Sequence, residues 1–357
     1  MTMRPSSILS EATRNFLTRT SRPVLSSAVL GIVVVGLMLA ELLVVTNLID
    51  DFTAFQARAA TVSSVSAPKG IDGAACDALS STATVRASGA FSDAGRMTLA
   101  ELPSTPIPVK AATPGFVSVI APDTDAAGVD GVLIPLELAR TLSVEVGDDL
   151  HTDAGDARIA AVYAYPEDGR APGFAWAIVV PKAATGRFDD CWYDVPLGDE
   201  ASIALGLTAV SAGTADRPKL SQVNTTLGAA FEPLEKFAGR VTRWNFAAAF
   251  VLAGLAAMVL RRSRALEIAT SLHLRVTKRA LIAQGLYEEG LVLVAMLPFV
   301  LASACLPVLT HPDDAGQLAW LATLVWIFGA AGALAGNAVA TASVRRNAFV
   351  FYFKGRA

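Results

Sequence analysis

Val24-Leu-Ser-Ser-Ala-Val-Leu-Gly-Ile-Val-Val-Val-Gly-Leu-Met-Leu-Ala-Glu41-Leu-Leu-Val-Val-Thr-Asn-Leu-Ile49 decides the fold class. Its only charge is Glu41. A bilayer span needs about 20 apolar residues, whereas the apolar core of a secretory leader has about 7–15, so the stretch reads as a membrane span rather than a leader. Three more apolar segments follow. Residues 244–260 lie between Arg243 and the pair Arg261-Arg262, residues 286–307 carry Glu288 and Glu289 near their start, and residues 318–344 hold no charge. The chain of 357 residues is 53% hydrophobic and 17% charged, with a mean hydropathy of +0.48. That excludes a disordered chain and an ordinary soluble domain. A net charge of −3 gives no reason to expect a nucleic-acid partner.

The basic residues orient the spans, because Lys and Arg accumulate on the cytoplasmic side. Residues 1–23 contain Arg4, Arg14, Arg19 and Arg22. Residues 261–285 contain Arg261, Arg262, Arg264, Arg275, Lys278 and Arg279, and the tail 345–357 contains Arg345, Arg346, Lys354 and Arg356. The short connection 308–317 has Asp313 and Asp314 and no base. The expected topology is a multi-pass protein of the cell membrane with both termini cytoplasmic. Residues 50–242 then form one extracytoplasmic domain, with 14 Lys and Arg against 25 Asp and Glu. Residues 1–23 read as an amphipathic helix on the inner surface, with Ile8, Leu9, Phe16 and Leu17 among the arginines.

Two helical stripes flank the outer domain. Leu48, Phe52, Phe55, Ala59 and Val62 extend the first span over about 50–62. Leu220, Val223, Leu227, Phe231, Leu234, Phe237 and Val241 lead over about 219–243 into the second. They predict a helical stalk in which Leu48, Phe52, Phe55, Leu227, Phe231 and Leu234 pack, with a kink at Pro233. Between them the chain reads as mixed α/β. Strand-like runs are Thr61–Ser66, Ala83–Ala87, Phe116–Ile120, Val132–Ile134, Leu150–Thr152, Ala157–Tyr163 and Ala175–Val180. A helix is expected over Pro135–Leu142, and exposed loops over Pro106–Gly115 and Asp123–Gly131. The fold class is therefore four transmembrane helices plus an α/β extracytoplasmic domain on a helical stalk. Cys76 and Cys191 fall in the outer domain and are expected to pair as a structural disulfide, the alternative being two free thiols; Cys305 lies in the third span.

Few motifs carry chemistry. There is no Gly-x-x-x-x-Gly-Lys-Ser/Thr, no His-Glu-x-x-His and no Gly-x-Ser-x-Gly, and His151, His273 and His311 are scattered. Asp123, Asp125 and Asp130-Gly131 form only a fragment of a calcium loop. No catalytic, metal or cofactor site is expected in this chain, and ATP work would need another polypeptide. Glu41 in the first span is either functional, snorkelling, or paired between subunits. Glu288 is expected to pair with Arg275 or Arg279.

The segment joining the second and third spans is the informative one. Glu267-Ile268-Ala269, Leu274, Val276-Thr277-Lys278-Arg279 and Glu288 resemble, in order and spacing, the corresponding loop of the MacB/FtsX-type (type VII, mechanotransmission) ABC transporter permeases. Arg275 stands where that family has Gly. The run Val132-Leu-Ile-Pro-Leu-Glu-Leu-Ala-Arg-Thr-Leu142-Ser-Val144-Glu-Val-Gly147-Asp148, followed by Ala157–Ala164, is similar to the core of the family's outer domain. The resemblance implies a non-catalytic permease subunit, dimeric with itself or a second permease, bound to a separate ABC-type ATPase that holds ATP and Mg. It implies a docking role for Arg261, Arg262, Arg264, Glu267, Ile268, Leu274, Arg275, Thr277, Lys278 and Arg279. It also implies that nucleotide-driven motion reaches the outer domain, which exports an amphiphile such as a peptide, lipoprotein or drug, with an accessory extracytoplasmic protein as a further partner. The alternative is an FtsX-like relay that controls a cell-wall hydrolase without transport.

Overall fold

The computed structural model describes residues 5–18, 22–122, 130–153, 155–196, 200–213, 217–228 and 231–345. The helices and strands begin with α1 (Pro5–Leu17), α2 (Pro23–Ala57), β1 (Val62–Asp72), α3 (Gly73–Ala78), β2 (Ala87–Leu99), β3 (Leu102–Ala112) and α4 (Pro114–Ile120). They continue with β4 (Val132–Pro135), α5 (Leu136–Leu142), β5 (Asp149–Thr152), β6 (Gly155–Tyr163), β7 (Ile178–Pro181), β8 (Arg187–Asp194), α6 (Glu200–Ala204) and β9 (Lys219–Gln222). Last come α7 (Pro233–Gly239), α8 (Asn245–Arg262), α9 (Ala265–His273), α10 (Lys278–Thr310) and α11 (Ala315–Ser343). They belong to two units, Met1–Ile49 with Leu234–Ala357, and Asp50–Pro233. Asp123 and Asp125 lie outside the described residues, as does the tail beyond Arg345.

In the first unit four helices are long and apolar enough to cross a bilayer: Pro23–Ala57, Val241–Arg262, Lys278–Thr310 and Pro312–Ser343, the second and fourth counted with the short 3₁₀ turns that precede α8 and α11. Helices suit that setting because each satisfies its own backbone. Valine-rich α2 stays helical for 35 residues despite its β-branched side chains. The closest packing is between α8 and α11. Ala249, Ala253 and Ala257 recur every fourth residue on α8 and are buried. Gly332 and Gly336 on α11 lie against them: a Cβ at Gly332 would collide with the Phe250 carbonyl, and one at Gly336 with the Gly254 carbonyl. Such small-residue seams let helix backbones approach in lipid, where no hydrophobic force drives association. Gly336→Leu should therefore destabilise the helical unit by about 1–3 kcal/mol, whereas Gly316→Leu, at an open position, should not. Thermal unfolding in detergent checks this, and equal midpoints for the two variants would refute the seam.

Residues 261–285 are not a loop. They comprise the end of α8, the whole of α9 and the first two turns of α10, with Leu274–Thr277 as the only connection between α9 and α10. Thr277 caps α10 by accepting a hydrogen bond from the Ala280 N–H. Arg275 has a φ of 64°, so it occupies the left-handed conformation that usually ends a helix on Gly.

The second unit is built on a nine-stranded sheet in the order β3-β7-β4-β6-β5-β2-β8-β1-β9, and β2 also pairs with β3. The strands from β3 to β2 thus close on themselves, while β8, β1 and β9 extend from β2. Phe91, Phe116, Phe174 and Trp192 pack in one aromatic cluster, with ring centroids 4.9–5.5 Å apart. Cys76 of α3 and Cys191 of β8 form a disulfide, and Cys305 is a free, exposed thiol. Asp77 accepts hydrogen bonds from the Thr113 hydroxyl and the Gly115 N–H, which tie α3 to the start of α4. Burial pushes its carboxyl up, partly offset by those two donors.

Three expectations from the sequence are corrected. Residues 106–112 are strand, not loop, because β3 alternates buried Ile107, Val109 and Ala112 with less buried positions. Pro103 and Pro106 lie in the register shift between the Met97–Ile107 and Leu99–Leu102 pairs, and Pro108, paired with Arg96, borders the other shift. Residues 116–120 are helix, not strand. Pro114 opens α4, and Phe116, Val117 and Ile120 bury one helical face. A short apolar run does not distinguish the two states, and packing decided between them.

The third correction concerns the stalk. The first stripe is helical to Ala57, but 219–243 is not one helix. Lys219–Gln222 pairs with β1 as an edge strand. Asn224 is buried, and its amide donates to the carbonyls of Arg58 and Asp168, holding a turn that Gly228 continues at a φ of 93°. Pro233 then starts the short α7. Val223 joins the sheet core, whereas Leu220, Leu227, Leu234 and Val241 are exposed. Phe231 does contact Phe52 and Phe55, centroids 5.5 Å apart in both pairs, but from a non-helical segment. An available strand edge and a buried Asn outweighed a helical spacing.

Candidate functional site

The site begins with Arg261, at the last turn of α8, whose side chain is only 5% exposed. A guanidinium cannot be buried without partners. Its Nη1 donates to Glu288 Oε2 at 2.9 Å, its Nε to the Thr341 hydroxyl at 3.1 Å, and its Nη2 to the Leu281 carbonyl at 3.4 Å. Thr341 in turn donates to the Asn337 carbonyl one turn back in α11. Gly285 makes room, since a Cβ there would press on Asn337 Oδ1 and the Arg261 guanidinium.

Glu288 is the hub. Its Oε2 also accepts from Arg264 Nη1 at 2.8 Å, and its Oε1 from Asn15 Nδ2 of α1 at 2.9 Å and Gln284 Nε2 at 3.2 Å. Arg264, immediately before α9, donates from Nε to Glu267 Oε2 at 2.9 Å. Burial alone would lower the pKa of Arg264; the carboxylates of Glu288 and Glu267 hold it above the ordinary guanidinium value. Beside the hub, Glu289 Oε2 accepts from Asn337 Nδ2 at 2.9 Å. Glu289 Oε1 and Asn337 Oδ1 are buried without a hydrogen-bond partner. Both residues line a polar cavity of about 30 Å³ together with Ser26, Arg261, Arg264 and Glu288, which is room for a water.

Glu288 therefore pairs with Arg261 and Arg264, not with Arg275 or Arg279. The two expected partners, Arg275 in the α9–α10 connection and Arg279 in the first turn of α10, are exposed, whereas Arg261 at the end of α8 and Arg264 just before α9 reach Glu288. Glu41 has a partner within the chain. Its Oε1 accepts from Arg240 Nε and Nη2 at 2.9 and 2.8 Å, and the Arg240 guanidinium stacks 3.7 Å from the centroid of Phe237.

The residues expected to dock a partner divide into two sets. Arg261, Arg264 and Ile268 face inward; Ile268 packs with Ala265, Ala269, Leu272, Leu281 and Val344. Arg262, Glu267, Leu274, Arg275, Thr277, Lys278 and Arg279 are exposed, Leu274 at 76%. Lys278 reaches back to the Ala342 carbonyl at the end of α11. The arrangement is a short helix fixed by its inner face and by Arg264, presenting one carboxylate, one leucine and several cations. Asn15, Arg240, Asn337 and Thr341 were not anticipated. Their partners are 48–273 residues away except for Thr341–Asn337, and a sequence signal existed only for Asn337 and Thr341, polar residues in the otherwise apolar α11. Among the described residues no group of three or more His, Cys, Asp and Glu is placed to hold a metal.

No protein-family model matches the chain, and no curated protein matches it. Among solved structures the chain is similar to "a domain of a putative permease protein" from Porphyromonas gingivalis, at 14% identity and a TM-score of 0.33, over 47% of this chain and 92% of that one.

Proposed function

We propose that this chain is the membrane-spanning subunit of an ABC-type transporter of the MacB/FtsX kind, and that α9 is its docking helix for a separate ATPase subunit. The observation that carries the reading is α9 itself. A nine-residue helix with an anchored apolar face and an exposed Glu267-Leu274-Arg275 edge sits between two long apolar helices. An amphipathic helix with no role beyond its connection would not need Arg264 and Glu288 to hold it. The Cys76–Cys191 disulfide supports placing Asp50–Pro233 on the oxidising, outer side, and the basic residues of 261–279 support placing α9 in the cytoplasm. In this reading two permease copies flank a pair of ATPase subunits. ATP and Mg stay on the ATPase, and nucleotide turnover changes the angle between the copies. Helix α2, unbroken from Pro23 to Ala57, passes that motion to the outer segment, which handles an amphiphilic cargo.

The test is co-purification with a separate ABC-type ATPase subunit. Glu267→Ala combined with Leu274→Asp should weaken the complex by roughly thirty-fold, the loss typical of interface hot spots, while leaving membrane insertion intact. Neither side chain is buried, so folding should survive. Unchanged co-purification would remove α9 from the interface.

A further inference from the structure

The N-terminal helix α1 reaches α9 through three successive polar contacts. Ala12 is fully buried, and Phe16 packs against the cluster of Leu30, Val34, Val292 and Met296, which fixes α1 on the span helices. Asn15 could have turned to water or lipid headgroups, as polar residues of an interfacial helix ordinarily do. It donates instead to Glu288 Oε1. The opposite oxygen of that carboxylate holds both Arg261 and Arg264. Arg264 then grips Glu267 on the first turn of α9, and its carbonyl accepts from the Ile268 N–H.

We propose that Glu288 is a positioning residue for α9 and that α1 sets its orientation through Asn15, so that the N-terminal helix tunes the docking helix. The docking role of α9 rests on the function proposed above; the positioning does not. A carboxylate gripped on both oxygens has one orientation. When Asn15 is absent, Oε1 keeps only the longer bond from Gln284, and the carboxylate can turn away from Arg264. The pin at the start of α9 then loosens, although its apolar face stays packed. Seating or lifting of α1 on the membrane surface would thereby change how firmly α9 is presented. The groups facing Glu288 from every packed element are Asn15 on α1, Arg261 at the end of α8, Arg264 ahead of α9, and Gln284 on its own helix. Removing Asn15 leaves this charge balance intact and takes one donor from Glu288 Oε1.

Hydrogen exchange of the full-length chain in lipid nanodiscs, with no ATPase present, is the test. Asn15→Leu keeps the bulk and removes the donor. It should speed exchange across residues 265–273 by roughly ten-fold, the loss of one hydrogen bond to a charged group. Asn15→Gln, which restores an amide at a half-buried surface position, should return it towards wild type. Arg14→Ala, which removes only an exposed pair with Glu11, should change nothing, and β1 should exchange alike in all variants. Glu288→Gln should loosen α9 at least as much as Asn15→Leu; if that variant does not fold, the Asn15 series still decides. Exchange of α9 that is the same in Asn15→Leu and wild type overturns the proposal. So does an equal rise in Asn15→Leu and Asn15→Gln. If α9 responds as described and yet binds no ATPase, the positioning stands and the functional reading falls; if the ATPase binds while α9 is indifferent to Asn15, the reverse holds.

Discussion

Glu288→Ala is expected to cost the helical unit about 3–5 kcal/mol, because it leaves Arg261 and Arg264 without their shared buried anion. Arg261→Met is expected to cost less than about 1 kcal/mol. The asymmetry follows from the geometry. Glu288 serves two cations, so removing one still leaves it paired with Arg264, Asn15 and Gln284. A Met of similar length refills the space beside Gly285, and Thr341 keeps its own acceptor in the Asn337 carbonyl. Replacing a buried ion by a well-packed apolar group is often neutral, whereas orphaning one is not. The double variant Glu288→Leu, Arg261→Met should recover part of the loss. Thermal midpoints in one detergent, measured for all three, decide the matter. If Arg261→Met proves as damaging as Glu288→Ala, the hub is not Glu288.

Removing the disulfide is the second large effect. Cys76 and Cys191 are separated by 115 residues, so the cross-link spans most of the sheet unit Asp50–Pro233 and restricts its unfolded chain strongly. A loop of that length corresponds to about 5 kcal/mol of stabilisation in the chain-entropy account. Cys76→Ser with Cys191→Ser should therefore lower the urea midpoint of the sheet unit by about 2 M, with the helical unit unaffected. Both sulfurs sit in the core formed by Val65, Ile71, Phe188 and Tyr193, and serine there adds a small polar penalty in the same direction. Identical midpoints with and without reductant would show that the bond contributes nothing to the sheet unit.

Much of this protein could be read directly from its residues. Four uncharged or nearly uncharged runs specify four helices, because a bilayer offers no partner for an unsatisfied backbone. Cys76 and Cys191 fall in one segment between the first two spans and were expected to pair, and the structure joins them. The strand–helix–turn–strand run from Val132 to Tyr163 was legible because its helix, glycine turn and alternating strands each follow a local rule. Local rules failed where two of them competed. Three prolines disguised β3, and a β-branched run disguised α4. A helical stripe over 219–243 gave way to an edge strand because β1 offered backbone partners that a periodicity count cannot see.

The charge pairs were decided by tertiary structure alone. The residues show that Glu41, Glu288 and Arg261 need partners, since an ion in an apolar span demands one. They do not show which, because Arg240 and Asn15 reach their carboxylates only after helices 199 and 273 residues apart in sequence have packed together. Composition and periodicity act along the chain and settle what each segment becomes. The choice between Arg264 and Arg279 as the partner of Glu288 depended on how α8, α9 and α10 packed together.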